Sequence, residues 1–395
     1  MDTKRLVSVC FILGALSMAA LSNHTSHLNQ AGPVTFNNQI VRILQQHCQV
    51  CHHPGDIGPF SLMTYQETRI FGQVIKAVTE TREMPPWKPA EDCNAYDGQN
   101  RLTDEEIRAI ATWVDGGTLE GNPADLPPPL QFTNDWPLGQ PDIVLQPDAD
   151  FSVGLGDDVF RCFSLPLNLR GERFVSAIQI RPGVRRVVHH ASVYLDPAGA
   201  SKILDDADPG PGYDCSGDDG FMTRGAVAWW APGSTARFEA EGSGWRIPAG
   251  ARLVLQVHYH VHHGGAATER TQVGLYFART PVRKELRAAS ISNPNFVIPA
   301  GEANYNVTAS LSQVSSQPAH AIAIAPHMHL LGREISVEAI DRTGETRCLV
   351  DIPEWDPHFQ DAYRFKDSPA LDPGTRVALS ARYDNTDQNP DNPHH

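Results

Sequence analysis

The stretch from Gly121 to Pro141 decides how this chain can be divided. It holds six prolines in twenty-one residues, including Pro127-Pro128-Pro129. A proline ring fixes φ and removes an N–H donor, so such a run enters neither a helix interior nor a central strand. It suits a stiff spacer and separates two regions of different character. With 395 residues in all, more than one domain is expected.

Before the spacer the pattern is helical. Phe36, Ile40, Ile43 and Leu44 recur on one helical face. Thr64 with Glu67, and Thr103 with Glu106, have the spacing of a capping box, in which side chains satisfy the free N–H groups of a helix start. Leu102 can staple onto Ile107, and Gly116-Gly117 should stop that helix. A small all-α domain over residues 33–120 follows. After the spacer, β-rich runs take over at Arg173–Arg181, Val184–Leu195, Ala251–His262, Thr271–Arg279, Ala321–Ala339 and Thr375–Tyr383. Two antiparallel β-sandwich domains in tandem fit that length, over 142–285 and 286–395, joined near Pro281 to Pro294.

The first residues run from Lys4-Arg5 into the apolar Leu6 to Leu16 and then small residues around Ala19, Ala20 and Ser22, the pattern of a secretory signal over 1–22. The apolar run is too short for a membrane span, and no later stretch is long enough, so no stable membrane span is expected. A periplasmic or secreted location follows. In that oxidising setting Cys93, Cys162, Cys215 and Cys348 are expected to form two disulfides, with three pairings open. The net charge of −14 and the lack of a basic block argue against a nucleic-acid partner.

Cys48-Gln49-Val50-Cys51-His52 is the attachment pattern of c-type haem, in which two thiols bind the vinyl groups and the adjacent imidazole takes an axial position. A redox-active disulfide or half of a zinc site is the competing explanation, but a thioredoxin-type motif belongs in a strand-helix unit. Met84, in Glu83-Met84-Pro85-Pro86-Trp87, is the candidate second axial ligand, against an ordinary role in core packing. The segment resembles the small cytochrome c domains fused to exported oxidoreductases.

Three histidine clusters lie in the β-rich half. His189-His190 sits within Val187 to Val193, His258 closes Leu253 to Val257, and His327-Met328-His329 follows Ile324-Ala325-Pro326. In a strand, residues i and i+2 share a face, so His327 and His329 can hold one metal while Met328 points away. Adjacent His189 and His190 need a bulge to converge, with His258 from another strand as third ligand. Ordinary buried histidines are the alternative, but burying several unpartnered rings is costly. Three imidazoles suit copper or zinc. His260, His262 and His263 fit a solvated strand end, and His394-His395 a solvated terminus.

The phrases Val188-His189-His190-Ala191, Leu253 to Tyr259, and Pro326-His327-Met328-His329-Leu330-Leu331-Gly332 resemble the copper type II, ascorbate-dependent monooxygenases, the family of peptidylglycine α-hydroxylating monooxygenase and dopamine β-hydroxylase. Looser similarity runs from about Asp142 to Tyr383. The resemblance implies two jelly-roll-like domains, each with one mononuclear copper, facing each other across a solvent cleft. It implies His189, His190 and His258 at an electron-storing copper. It also implies His327 and His329, with a methionine, at a catalytic copper where O2 is activated and one oxygen atom enters a small-molecule C–H bond. Ascorbate or a periplasmic donor would supply electrons, and the haem would relay them.

Two departures stand out. The family's methionine is expected beyond Tyr383, yet the last methionine is Met328, and the chain stops at a loop-like Asn392-Pro393-His394-His395. The second β domain is therefore expected to be incomplete at its C-terminal end, and a copper-binding electron-transfer protein without oxygenase chemistry is the alternative function. Ala325 also stands where the peptide-amidating branch has a carboxylate-anchoring arginine, which removes support for peptide amidation.

Overall fold

The computed structural model describes residues 32–155, 158–216, 220, 225–260, 265–293, 295–312 and 316–393. The expected signal sequence, together with His262, His263, His394 and His395, lies outside them. Residues Val34 onward form one compact unit, and it is mostly β with few helices.

The helical part begins with a π-helical turn, Phe36–Ile40, that runs into α1, Val41–His47. Then come α2 (Tyr65–Ile70), α3 (Gly72–Glu80) and α4 (Asp104–Asp115). Both capping boxes form: each threonine accepts from the N3 amide while the N3 glutamate reaches back to the threonine N–H. Helix α4 ends at Gly116, and Gly117 turns the chain with a positive φ of 86°. Phe36, Leu44, Leu102, Ile110 and Trp113 bury themselves together in one core, with Ile107 packed against it.

Two five-stranded sheets follow. In one, Ile143–Leu145, Gln272–Phe277, Arg173–Arg181, Ser243–Ile247 and Lys284–Leu286 are neighbours in that order. The other runs Tyr213–Asp214, Asp158–Pro166, Arg252–His260, Val188–Asp196, Ala226–Trp230. Both contribute to a single apolar core, in which Val175, Val193, Ile247, Leu253, Leu255 and Leu275 are fully enclosed. A four-stranded sheet, Tyr305–Leu311, Arg376–Tyr383, Gly332–Ile340, Thr346–Ile352, forms the last β region with two short two-stranded ladders.

The Pro-rich stretch behaves differently from a spacer. Arg42 and Gln45 of α1 donate to the carbonyls of Asp125 and Pro128. Farther along, Phe132 stacks on His53 with centroids 3.8 Å apart, and Arg181 lies 4.4 Å from the Trp136 ring. Its missing N–H groups keep it out of any sheet, but its carbonyls and rings fasten it to both neighbours.

The segment between α3 and α4 leaves the helical core and enters the last β region. Tyr96 and Trp87 pack into that region's apolar core, the Tyr96 hydroxyl donates to the Leu349 carbonyl, and Tyr96 pairs with Phe365 as an isolated bridge. Cys93 is bonded to Cys348 of strand Thr346–Ile352, and Cys162 to Cys215. Both expected disulfides thus form, and the first is a covalent tie between the helical part and a strand 255 residues away.

Candidate metal centre

His190 and His258 are direct partners on the antiparallel strands Val188–Asp196 and Arg252–His260. The register shifts between Val188 and His190. That irregularity turns His189, which regular alternation would send to the opposite face, toward the other two. The Nδ1 atoms converge: His189 Nδ1 lies 3.1 Å from both His190 Nδ1 and His258 Nδ1. All three residues are buried.

Hydrogen bonds on the far side hold two of the rings, and for His189 the bond settles the tautomer. His189 Nε2 lies 2.7 Å from the His358 carbonyl, which can only accept, so Nε2 carries the proton and Nδ1 is bare. His258 Nε2 donates at 2.5 Å to the Asp158 carboxylate, which fixes the ring with its Nδ1 turned toward His189. His190 Nε2 is buried without a partner. Burial, aided by the neighbouring His258, pushes His189 down to about 3 and His190 well below the usual imidazole range. Both rings are therefore neutral, the form that binds metal. The His258 bond holds the Asp158 carboxyl far below its ordinary range.

Aromatic rings frame the set. Phe160, the register partner of His258 on strand Asp158–Pro166, stacks on its ring at 4.0 Å, and Trp229 stacks on His190 at 5.0 Å. His260 is not a solvated strand end: it is half-buried, and its Nδ1 lies 3.3 Å from Asp158. Asp158, His258 and His260 form a second cluster of converging donor atoms.

His327 and His329 do not share a strand face. They lie on an irregular segment between the two-residue strand Ala323–Ile324 and strand Gly332–Ile340. Pro326 supplies no N–H to a ladder, which favours that break. Their rings are nonetheless close, 4.9 Å apart and nearly perpendicular. Both are solvent-accessible, with protein packed around part of each ring. That surrounding protein lowers the pKa of each, with His329 acting further on His327 and His258 on His329. The His327 ring lies 6.2 Å from that of His190, so the two sets are adjacent and do not face each other across a broad cleft. Met328 turns away into the last β core, against Gly332 and Trp355.

Cys48 and Cys51 follow α1 and are not bonded to each other. Burial pushes both thiols up to about 12, the opposite of the lowered pKa that a redox-active thiol pair needs. His52 Nδ1 lies 3.1 Å from the Phe60 carbonyl, so Nδ1 carries the proton and Nε2 is the atom free to ligate. Gly58 lets the returning chain cross the motif, since a Cβ there would sit 2.7 Å from the Cys51 carbonyl oxygen. Met84 is 39% exposed and lines a small cleft with Trp87 and Leu102. The motif also abuts the first β region: a Cβ added at Gly233 would lie 3.6 Å from the Cys51 sulfur.

Sequence reasoning missed Asp158, Trp229 and Gln360. No spacing marks them, because each reaches a histidine only through strand pairing or loop packing.

Residues 286–391 match the family described as the copper type II ascorbate-dependent monooxygenase, C-terminal domain. The chain is 27% identical over 181 residues to dopamine beta-hydroxylase of Bos taurus, covering 42% of this chain and 29% of that protein. It thus spans less than a third of that relative's length. Among solved structures, an oxalate decarboxylase variant from Bacillus subtilis overlaps 60% of this chain and 74% of its own at 10% identity, with a TM-score of 0.10. A second oxalate decarboxylase structure covers 67% and 81% at 10% identity, with a TM-score of 0.09. Similarity that low carries no argument about fold. The sequence matches support the copper monooxygenase family, in which copper is expected.

Proposed function

We propose that this protein is an exported haem-containing copper monooxygenase. It inserts one oxygen atom of O2 into a C–H bond of a small molecule, with electrons from ascorbate or a periplasmic donor relayed through haem c and the first copper. The observation that carries this reading is the convergence of three buried histidine Nδ1 atoms, with the far side of His189 held by the His358 carbonyl and that of His258 by Asp158. Bound there, copper would supply one-electron storage. At His327 and His329 it would supply reactivity toward O2. The protein's own part is to hold the imidazoles fixed, to leave the second pair accessible, and to wall the first set off with Phe160 and Trp229.

The haem is supported by two thiols free of each other and a histidine whose Nδ1 is anchored on a carbonyl. Cys48 and Cys51 would attach it, with His52 and Met84 as axial ligands, and it would supply single electrons. The disulfides accord with an oxidising compartment. Among the described residues no helix is long and apolar enough to cross a membrane.

A second reading, a copper-binding electron carrier, is favoured by Met328, which packs into the core and so offers no thioether to the second pair. One purified preparation tests both. Two bound coppers, haem that survives denaturation, and incorporation of labelled oxygen into a product support the monooxygenase. Copper and haem without O2 consumption favour the carrier, and haem that persists in a Cys48→Ser/Cys51→Ser variant refutes covalent attachment.

A further inference from the structure

The loop after strand Thr346–Ile352 touches both histidine sets. The His358 carbonyl holds His189, the Gln360 side chain is bonded to His327, and the Gln360 carbonyl accepts from Trp229 Nε1 at 3.3 Å while Trp229 stacks on His190. Asp361 accepts from Ser234, beside the glycine that abuts Cys51.

Gln360 is buried, and its amide has a determined orientation. The amide nitrogen donates to the Pro357 carbonyl at 3.0 Å. Turning the amide over would set two oxygens against each other, so Oε1 is the atom that faces His327 Nδ1. An amide oxygen only accepts. His327 Nδ1 therefore carries the proton, and Nε2 is bare.

We propose that Gln360 is a positioning residue that fixes the tautomer of His327 and so makes Nε2 the nitrogen offered to metal in the second set. This rests on His327 being a ligand, as proposed above. It means that the two sets present opposite ring nitrogens: Nδ1 in the first, held by His358 and Asp158, and Nε2 at His327, held by Gln360. The segment that carries His327 belongs to no strand ladder, so an anchor on the ring itself sets its orientation.

The test uses the full chain, labelled with ¹⁵N in its histidine rings, metal-free at pH 8, with the His327 signal assigned by its loss in His327→Ala. Wild type is expected to show the Nδ1–H tautomer. Gln360→Met keeps the length but lacks the acceptor, and should give a mixture of tautomers and a second copper bound about 10- to 100-fold more weakly. The proposal is overturned by an Nε2–H tautomer in wild type, which needs no variant to fold. It is equally overturned if Gln360→Met matches wild type. A wild-type protein that takes up no copper refutes the function proposed above, while the ring spectra still decide whether Gln360 sets the tautomer.

Discussion

The two histidine sets are built in opposite ways. His190 and His258 sit on paired strands, so the backbone ladder fixes their separation, and one register shift brings in His189. His327 and His329 hang from a segment outside any ladder, held by the Gln360 bond and by Met328 anchored in the core. A ladder distributes its constraint over many backbone hydrogen bonds, whereas the second set has the Gln360 bond, the core-packed Met328 and a turn in which the Gly332 N–H donates to the His329 carbonyl. The lesson is that the three-histidine set is preorganised by a strand ladder and the two-histidine set by local contacts outside any ladder.

The largest expected effect breaks the first set itself. His258→Ala removes one of three converging nitrogens and the partner of Asp158, and should weaken the tighter copper by more than the roughly 10- to 100-fold typical of outer-shell changes. His329→Ala should abolish only the weaker one. Isothermal titration with copper on wild type is expected to give one tight and one weak ion; two equal affinities would erase the contrast.

Next comes the tie to the helical part. A Cys93→Ser/Cys348→Ser variant loses a cross-link between residues 255 apart and should lose about 2–5 kcal/mol of stability in denaturant unfolding. Because Tyr96 and Trp87 enter the last β core from this segment, the weak copper should suffer with it. An unchanged second site would show that packing there does not depend on the strap. A smaller change, Asp158→Asn, keeps an acceptor but removes the charge behind His258. It should weaken the tight copper by about 10-fold and leave the weak one unmoved.

The smallest effect is a pH dependence of opposite sign in two regions of the metal-free protein. His189 has a pKa of about 3 when folded against 6.5 as a free side chain. The unfolded chain therefore takes up its proton first, and the first β region should lose stability as pH falls from about 6.5 toward 3. His47 differs: burial opposes its charge, but bonds to Glu106 and Asn100 prevail and raise its pKa. Its contribution is full below 6.5 and is lost as pH rises through the higher folded value. Hydrogen exchange followed between pH 5 and 8 should thus show α1 and α4 most protected at the acid end and strand Val188–Asp196 at the alkaline end.

Local chemistry was legible in the sequence. Both capping boxes, the stop at Gly116-Gly117, strand Arg173–Arg181 and the approximate bounds of four other strands follow from spacing and residue type, because they depend on contacts within a few residues. The histidine clusters stood out for a similar reason, since so many imidazoles in apolar runs need a partner. The segment around His327 was misjudged as strand because a proline's effect on an apolar run depends on whether a neighbouring strand demands its N–H.

What the sequence by itself determined is therefore the kind of chemistry: a thiol pair followed by a histidine, two groups of imidazoles, four further cysteines and a proline barrier between helix and sheet. Only the tertiary structure decided which cysteines pair, that the barrier adheres to its neighbours, that the two histidine sets lie side by side, and which ring nitrogens His189 and His327 offer. The physical reason is distance along the chain. A ring's tautomer is set by the acceptor on its far side, and His358, Asp158 and Gln360 arrive there from elements separated from their histidines by 169, 100 and 33 positions.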